Sequence, residues 1–155
     1  MAESIAMREA VSAQMKAAMK AGDKVRVGAL RLIMAALKER EIEARGAGKL
    51  VSRADELTLL AKMVKTREES LAIYQRAGRG DLAQQESAEI AVISEFLPKP
   101  MNDAEMAAAV KAAVAAVGAV GLKDMGKAIA ALKEKYPGRM DFAKASAMVR
   151  ALLTS

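Results

Sequence analysis

Residues 52–98 read SRADELTLLAKMVKTREESLAIYQRAGRGDLAQQESAEIAVISEFLP, and this stretch decides the fold class. Ser52 followed three residues later by Asp55 has the form of a capping box, so a helix starts here. Leu57, Leu60, Val64, Leu71 and Tyr74 then recur at helical spacing and mark one buried face. Gly78 predicts the stop. Arg79-Gly80-Asp81 predicts a turn in which Gly80 supplies backbone freedom and Asp81 caps the next helix. Leu82, Ile90, Ile93 and Leu97 face inward until Pro98 breaks the pattern. Two helices joined by so few residues are expected to form an antiparallel hairpin.

Toward the N-terminus, one helix is expected from Ser4 to Ala21, capped by Ser4 and ended by Gly22. Its stripe is Met7, Val11, Met15 and Met19. A second runs from Asp23, its cap, to about Arg45 before Gly46-Ala47-Gly48, with Val27, Leu30, Met34, Leu37 and Ala44 as its core face. Toward the C-terminus, Leu97-Pro98-Lys99-Pro100 biases the backbone away from helix and marks a boundary. Beyond it, Asn102 and Glu105 open an Ala-rich helix that ends near Gly118. Another spans about Lys123 to Lys135, stopping at Tyr136-Pro137-Gly138, and a last one runs from Asp141 to Leu153. No segment alternates with period two. The expectation is an all-α protein: an N-terminal helical domain, residues 1–97, containing the long hairpin, and a C-terminal three-helix bundle, residues 98–155.

Composition narrows the chemistry. The 155 residues are 53% hydrophobic but only 3% aromatic, with 11 Met and no Trp, which suits packed helices. There is no Cys and no His. Ordinary zinc, copper or haem sites cannot be built without them, nor can Ser–His or Cys–His nucleophiles. No catalytic residue, metal site, cofactor or small-molecule substrate is expected. No apolar run approaches the roughly 18 residues of a membrane span. Met1-Ala2-Glu3-Ser4 lacks the basic start of a signal peptide, so the cytoplasm is the expected location.

Net charge is +6, unevenly spread. Residues 1–53 hold 11 basic and 6 acidic side chains, residues 54–98 hold 5 and 8, and residues 99–155 hold 9 and 5. Two basic segments around an acidic middle suit a polyanion such as RNA. Lys24, Arg31, Lys38 and Arg45 recur every seven residues along one edge of the second helix, and Lys16 and Lys20 extend the basic surface onto the first. Such a row suits phosphates, although long basic side chains also cover apolar surface with their stems. With Tyr74, Phe96, Tyr136 and Phe142 as the only aromatic residues, contacts to backbone and shape are expected rather than base stacking. Gly121 to Lys127 has the spacing of a phosphate-binding loop, but Ala128 stands where Ser or Thr would hold magnesium, and no strand precedes it. Two readings remain there: a plain turn, with Gly126 allowing close helix packing, or helix amides meeting an RNA phosphate. Glu41, Arg67 and Glu86 sit on apolar faces, which predicts ion pairing, with Arg67 nearer to Glu89 than to Glu86, the alternative being a polar functional groove.

Lys65-x-Arg67-x-x-Ser70, then Gly78-Arg79-x-Asp81-Leu82-x-x-x-Glu86-x-x-Glu89-Ile90, then Leu97-Pro98, resembles the GatB/YqeY-like family, the YqeY-like proteins. So does Lys123-Asp124-Met125-Gly126-Lys127 followed by Gly138-Arg139-Met140-Asp141. Phe142 departs from the pattern, where a small residue usually follows the Asp. The family is similar to the tail of the B subunit of the glutamine-dependent aminoacyl-tRNA amidotransferase, and the resemblance implies contact with tRNA. Lys123, Lys127 and Arg139 join the basic candidates on this ground. The amidotransferase does its carbon–nitrogen ligase chemistry, with glutamine as amido-N-donor, in a large body preceding that tail, and the 155 residues hold no counterpart of it. The expected function is a non-enzymatic tRNA-associated accessory. The alternative is a helical module docking on a partner such as an aminoacyl-tRNA enzyme.

Overall fold

The computed structural model describes residues 2–154, with side chains described for residues 6–154. The helices are α1 (Ala2–Ala21), α2 (Lys24–Gly46), α3 (Arg53–Arg76), α4 (Gly80–Ser94), α5 (Asp103–Ala116), α6 (Met125–Lys135) and α7 (Phe142–Thr154), with a short 3-10 turn at Leu122–Asp124. There is no strand among the described residues, so the protein is all-α.

Local side-chain chemistry starts most of these helices. The Asp23 carboxylate accepts from the Arg26 amide at 3.1 Å. Ser52 Oγ accepts from the Asp55 amide at 3.0 Å while Asp55 accepts from the Ser52 amide at 2.9 Å, a reciprocal box that satisfies two otherwise orphaned donors. Asn102 Oδ1 accepts from the Glu105 amide at 2.8 Å, and Asp141 Oδ1 from the Ala143 amide at 2.9 Å. Phe142 is therefore simply the first residue of α7, half-buried in the second core.

Several local expectations change. The Ser4 cap falls on a side chain outside those described. α2 continues through Gly46, and the residue in the left-handed region is Gly48, at φ 70°. Its amide donates to the Arg45 carbonyl and the Lys49 amide donates to the Ala44 carbonyl, the paired bonds of a Schellman ending. At the next turn the left-handed residue is Gly78, not Gly80. Gly80 opens α4, so Asp81 lies inside that helix and bonds the Arg79 guanidinium instead of capping. A Cβ at Gly126 would meet nothing within 4 Å, so this glycine permits no close helix contact. Met19 is 54% exposed and Ala18 is buried in its place. A four-residue step overshoots the helical turn by about 40°, so three steps carry Met19 off the face on which Met7 lies.

The chain divides into two compact units, residues 1–97 and 98–155, each with its own core. In the first, α1 packs on α2, α2 on α4 and α3 on α4, around fully buried Val11, Leu30, Ile33, Leu60 and Ile93. In the second, α5, α6 and α7 pack pairwise around Val110, Ala128, Leu132, Ala145 and Val149.

Candidate nucleic-acid interface

On α2 the seven-residue spacing sets each successive cation back by about 20°, so Lys24, Arg31, Lys38 and Arg45 form a nearly straight row about 31 Å long. All four are exposed, as are Lys16 and Lys20 on α1. What separates five of them from their neighbours is that no carboxylate among the described residues pairs with them. Lys16, Lys20, Lys24, Arg31 and Lys38 make no ion pair among the described residues. Arg8, Arg26 and Arg40, on the same two helices, are each paired: Arg8 with Glu41 at 2.9 Å, Arg26 with Glu95 at 2.6 Å, Arg40 with Asp55 at 3.8 Å. Arg45 also contacts Glu41, at 3.2 Å, but stays mostly in solvent. Glu41 thus bridges α1 to α2 and touches the end of the row.

Arg26 is the most constrained of these cations. Its guanidinium donates to both Glu95 oxygens, just past α4, and to Gln14 Oε1 of α1. The hydrogen bond to Arg26 holds the Glu95 carboxyl below its ordinary range, against the opposing effect of burial. The same bond raises Arg26 further above its ordinary value.

Arg67 donates from Nε to Glu89 at 2.9 Å and from Nη1 to the Met63 carbonyl at 3.2 Å, with both charged side chains largely covered. Glu86 makes no ion pair among the described residues. It lies one turn before Glu89 on α4, beyond the level of Arg67. Glu56, not singled out from the sequence, is fully buried in the first turn of α3, where the positive end of the helix favours a carboxylate. Its position beside Asp55 reads as ordinary N-terminal acidity, so nothing in the sequence marks it.

In the second unit the candidates differ in availability. Lys123 and Lys127 are exposed. Asp124 stands between them at the start of α6, accepting from the Val120 amide at 3.1 Å. That bond, then the two lysines, holds its carboxyl below the usual range. A carboxylate at this helix start opposes a phosphate there, so neither the phosphate-loop reading nor the helix-amide reading fits. Arg139 is occupied structurally: its Nε donates to the Lys99 carbonyl at 3.1 Å, its guanidinium lies 3.8 Å from Glu105, and its carbonyl accepts from the Met101 amide. It fastens the 99–101 segment and is withdrawn from the interface set.

Among the described residues no cluster of acidic side chains could hold a metal ion, and no helix is long and apolar enough to cross a membrane. No curated protein matches the sequence. The profile of the family described as Yqey-like protein matches residues 8–153, which takes in both compact units. The chain belongs to the YqeY-like protein family.

Proposed function

We propose that this protein is a non-enzymatic, tRNA-associated accessory that contacts the phosphate backbone through Lys16, Lys20, Lys24, Arg31 and Lys38, with Lys123 and Lys127 as further contacts from the second unit. One observation carries the reading: these first five cations are exposed and, among the described residues, unpaired by carboxylates, whereas Arg8, Arg26 and Arg40 beside them are neutralised internally. Unpaired cations in a row have lost none of their charge to the protein itself and are available to displace counterions from a polyanion. The lack of His and Cys supports a role without chemistry of its own.

The test is electrostatic. tRNA affinity is expected to fall steeply as salt rises, and Arg31→Gln with Lys38→Gln to flatten the slope by about two units, one per phosphate contact. Gln keeps much of the stem and the helix propensity, so circular dichroism should stay unchanged. Arg76→Gln with Arg79→Gln, in the acidic middle, is expected to change the slope less. Absence of tRNA binding at about 50 mM salt, or equal loss in the two double variants, would refute the reading.

A further inference from the structure

The outward face of α2 carries more than cations. Val25, Leu32, Glu39 and Gly46 fall at one position of a heptad, and Gly28, Ala35 and Ile42 fall at the other, three residues after each of the first three. That alternation of threes and fours is how one helix offers a seam to a second. Lys24, Arg31, Lys38 and Arg45 occupy the flanking position immediately before each member of the first set. The seam lies in solvent, with Val25 61%, Leu32 42% and Ile42 67% exposed. A Cβ built at Gly28 or Gly46 meets nothing within 4 Å. Val27, Leu30, Ile33 and Leu37 already bury the opposite face, so α2 has two apolar faces and fills only one. Single exposed aliphatic residues are ordinary, but Val25, Leu32 and Ile42 in heptad register, spaced by Gly28, Ala35 and Glu39 and bordered by four cations, make a patterned surface. Phosphates have no use for Leu32 or Ile42.

We propose that this face docks one amphipathic helix of a partner protein whose flank is acidic. Gly28 and Ala35 admit the incoming axis at the near end of the roughly 8–10 Å packing range. Carboxylates on the edge of the incoming helix then pair with Lys24, Arg31, Lys38 and Arg45. Charge excludes a second copy of this chain. Two antiparallel copies of α2 set each basic row against itself. Two parallel copies set it against Ala29, Ala36 and Glu43, and Ala29 is buried in the protein's own core, which leaves a single acidic partner. Because the docked helix uses Lys24, Arg31 and Lys38, which the proposed RNA contact also uses, helix and RNA exclude one another on α2. That exclusion rests on the RNA reading, and the docking itself does not.

The probe is a synthetic three-heptad helix with Leu at both seam positions and Glu at both flanks, titrated against the full chain by fluorescence anisotropy, with a Lys-flanked twin as control. The Glu peptide is expected to bind saturably, and the Lys peptide at least about tenfold more weakly. Leu32→Ser with Ile42→Ser is expected to lower Glu-peptide affinity at least about tenfold, through lost apolar burial, while leaving tRNA affinity and its salt slope unchanged. Arg31→Glu with Lys38→Glu is expected to invert the peptide preference. If the double Ser variant fails to fold by circular dichroism, Ile42→Ser alone decides. Equal affinity for the two peptides, no binding at about 100 µM, indifference to the Ser substitutions, or self-association through α2 in sedimentation would each overturn the docking. tRNA binding without peptide binding removes the docking alone, and peptide binding without tRNA binding removes the RNA reading alone.

Discussion

Arg26 joins Gln14 of α1 to Glu95 just beyond α4 through one guanidinium, so a residue on α2 fixes three helices of the first unit. The folded-state pKa of Glu95 is lowered, first by that hydrogen bond. A lowered carboxyl stabilises the fold above its unfolded pKa of about 4.3 and loses that contribution as pH falls through the folded value. Glu95 is about half exposed, so solvent screening limits the contribution to about 1 kcal/mol or less. Glu95→Gln is accordingly expected to melt a few degrees below wild type at neutral pH, with the difference vanishing under acid. A gap that persists at low pH would show the effect is not ionic. Arg67 and Glu89 make the contrasting case, at 17% and 14% side-chain exposure. Arg67 was legible in the sequence as a misplaced charge, because a charge on a buried face requires a partner, whereas Glu86, read in the same way, makes no ion pair among the described residues. Arg139 was not legible in this way, since a cation in a turn looks the same whether it meets Glu105 or an RNA.

Helix starts were the most readable elements. The reciprocal bonds of Ser52 and Asp55, and the Asn102 cap, depend on residues three apart, so the sequence carries them whole. Most helix ends were read to within a residue or two, but α4, expected to run to Leu97, ends at Ser94, where the Phe96 and Leu97 amides turn to carbonyls three residues back. The choice between Gly46 and Gly48 turned on backbone conformation. That choice yields a paired prediction. Gly48→Ala, at φ 70°, is expected to destabilise by about 1 kcal/mol, while Gly46→Ala, at the last helical position, is expected to stabilise by roughly 0.5 kcal/mol. Urea denaturation of the two variants measures both. The same sign for both would mean the helix does not end as described. Met19 and Ala18 show the other limit of element-level reading. Repeats of four look like a stripe over two turns and drift off the face over little more than three.

Across the molecule, two cores in one chain imply that each unit carries its own cooperativity. Residues 98–155 expressed alone are expected to be helical and to melt in one transition, because Val110, Leu132, Ala145 and Val149 are enclosed within that unit. A fragment that melts without a transition by circular dichroism would tie its stability to the first unit. The all-α class, the capped starts of α2, α3 and α5 and the family resemblance were determined by the sequence alone, because caps and hydrophobic period act within a few residues. Tertiary structure decided which side of each helix is covered and which charges are consumed. It buried Glu56, assigned Arg8 to Glu41 and Arg26 to Glu95, and turned Arg139 inward. Above all, it filled one apolar face of α2 and left the other open. Both faces carry the same kind of period, and only contacts between residues distant in the chain can choose between them.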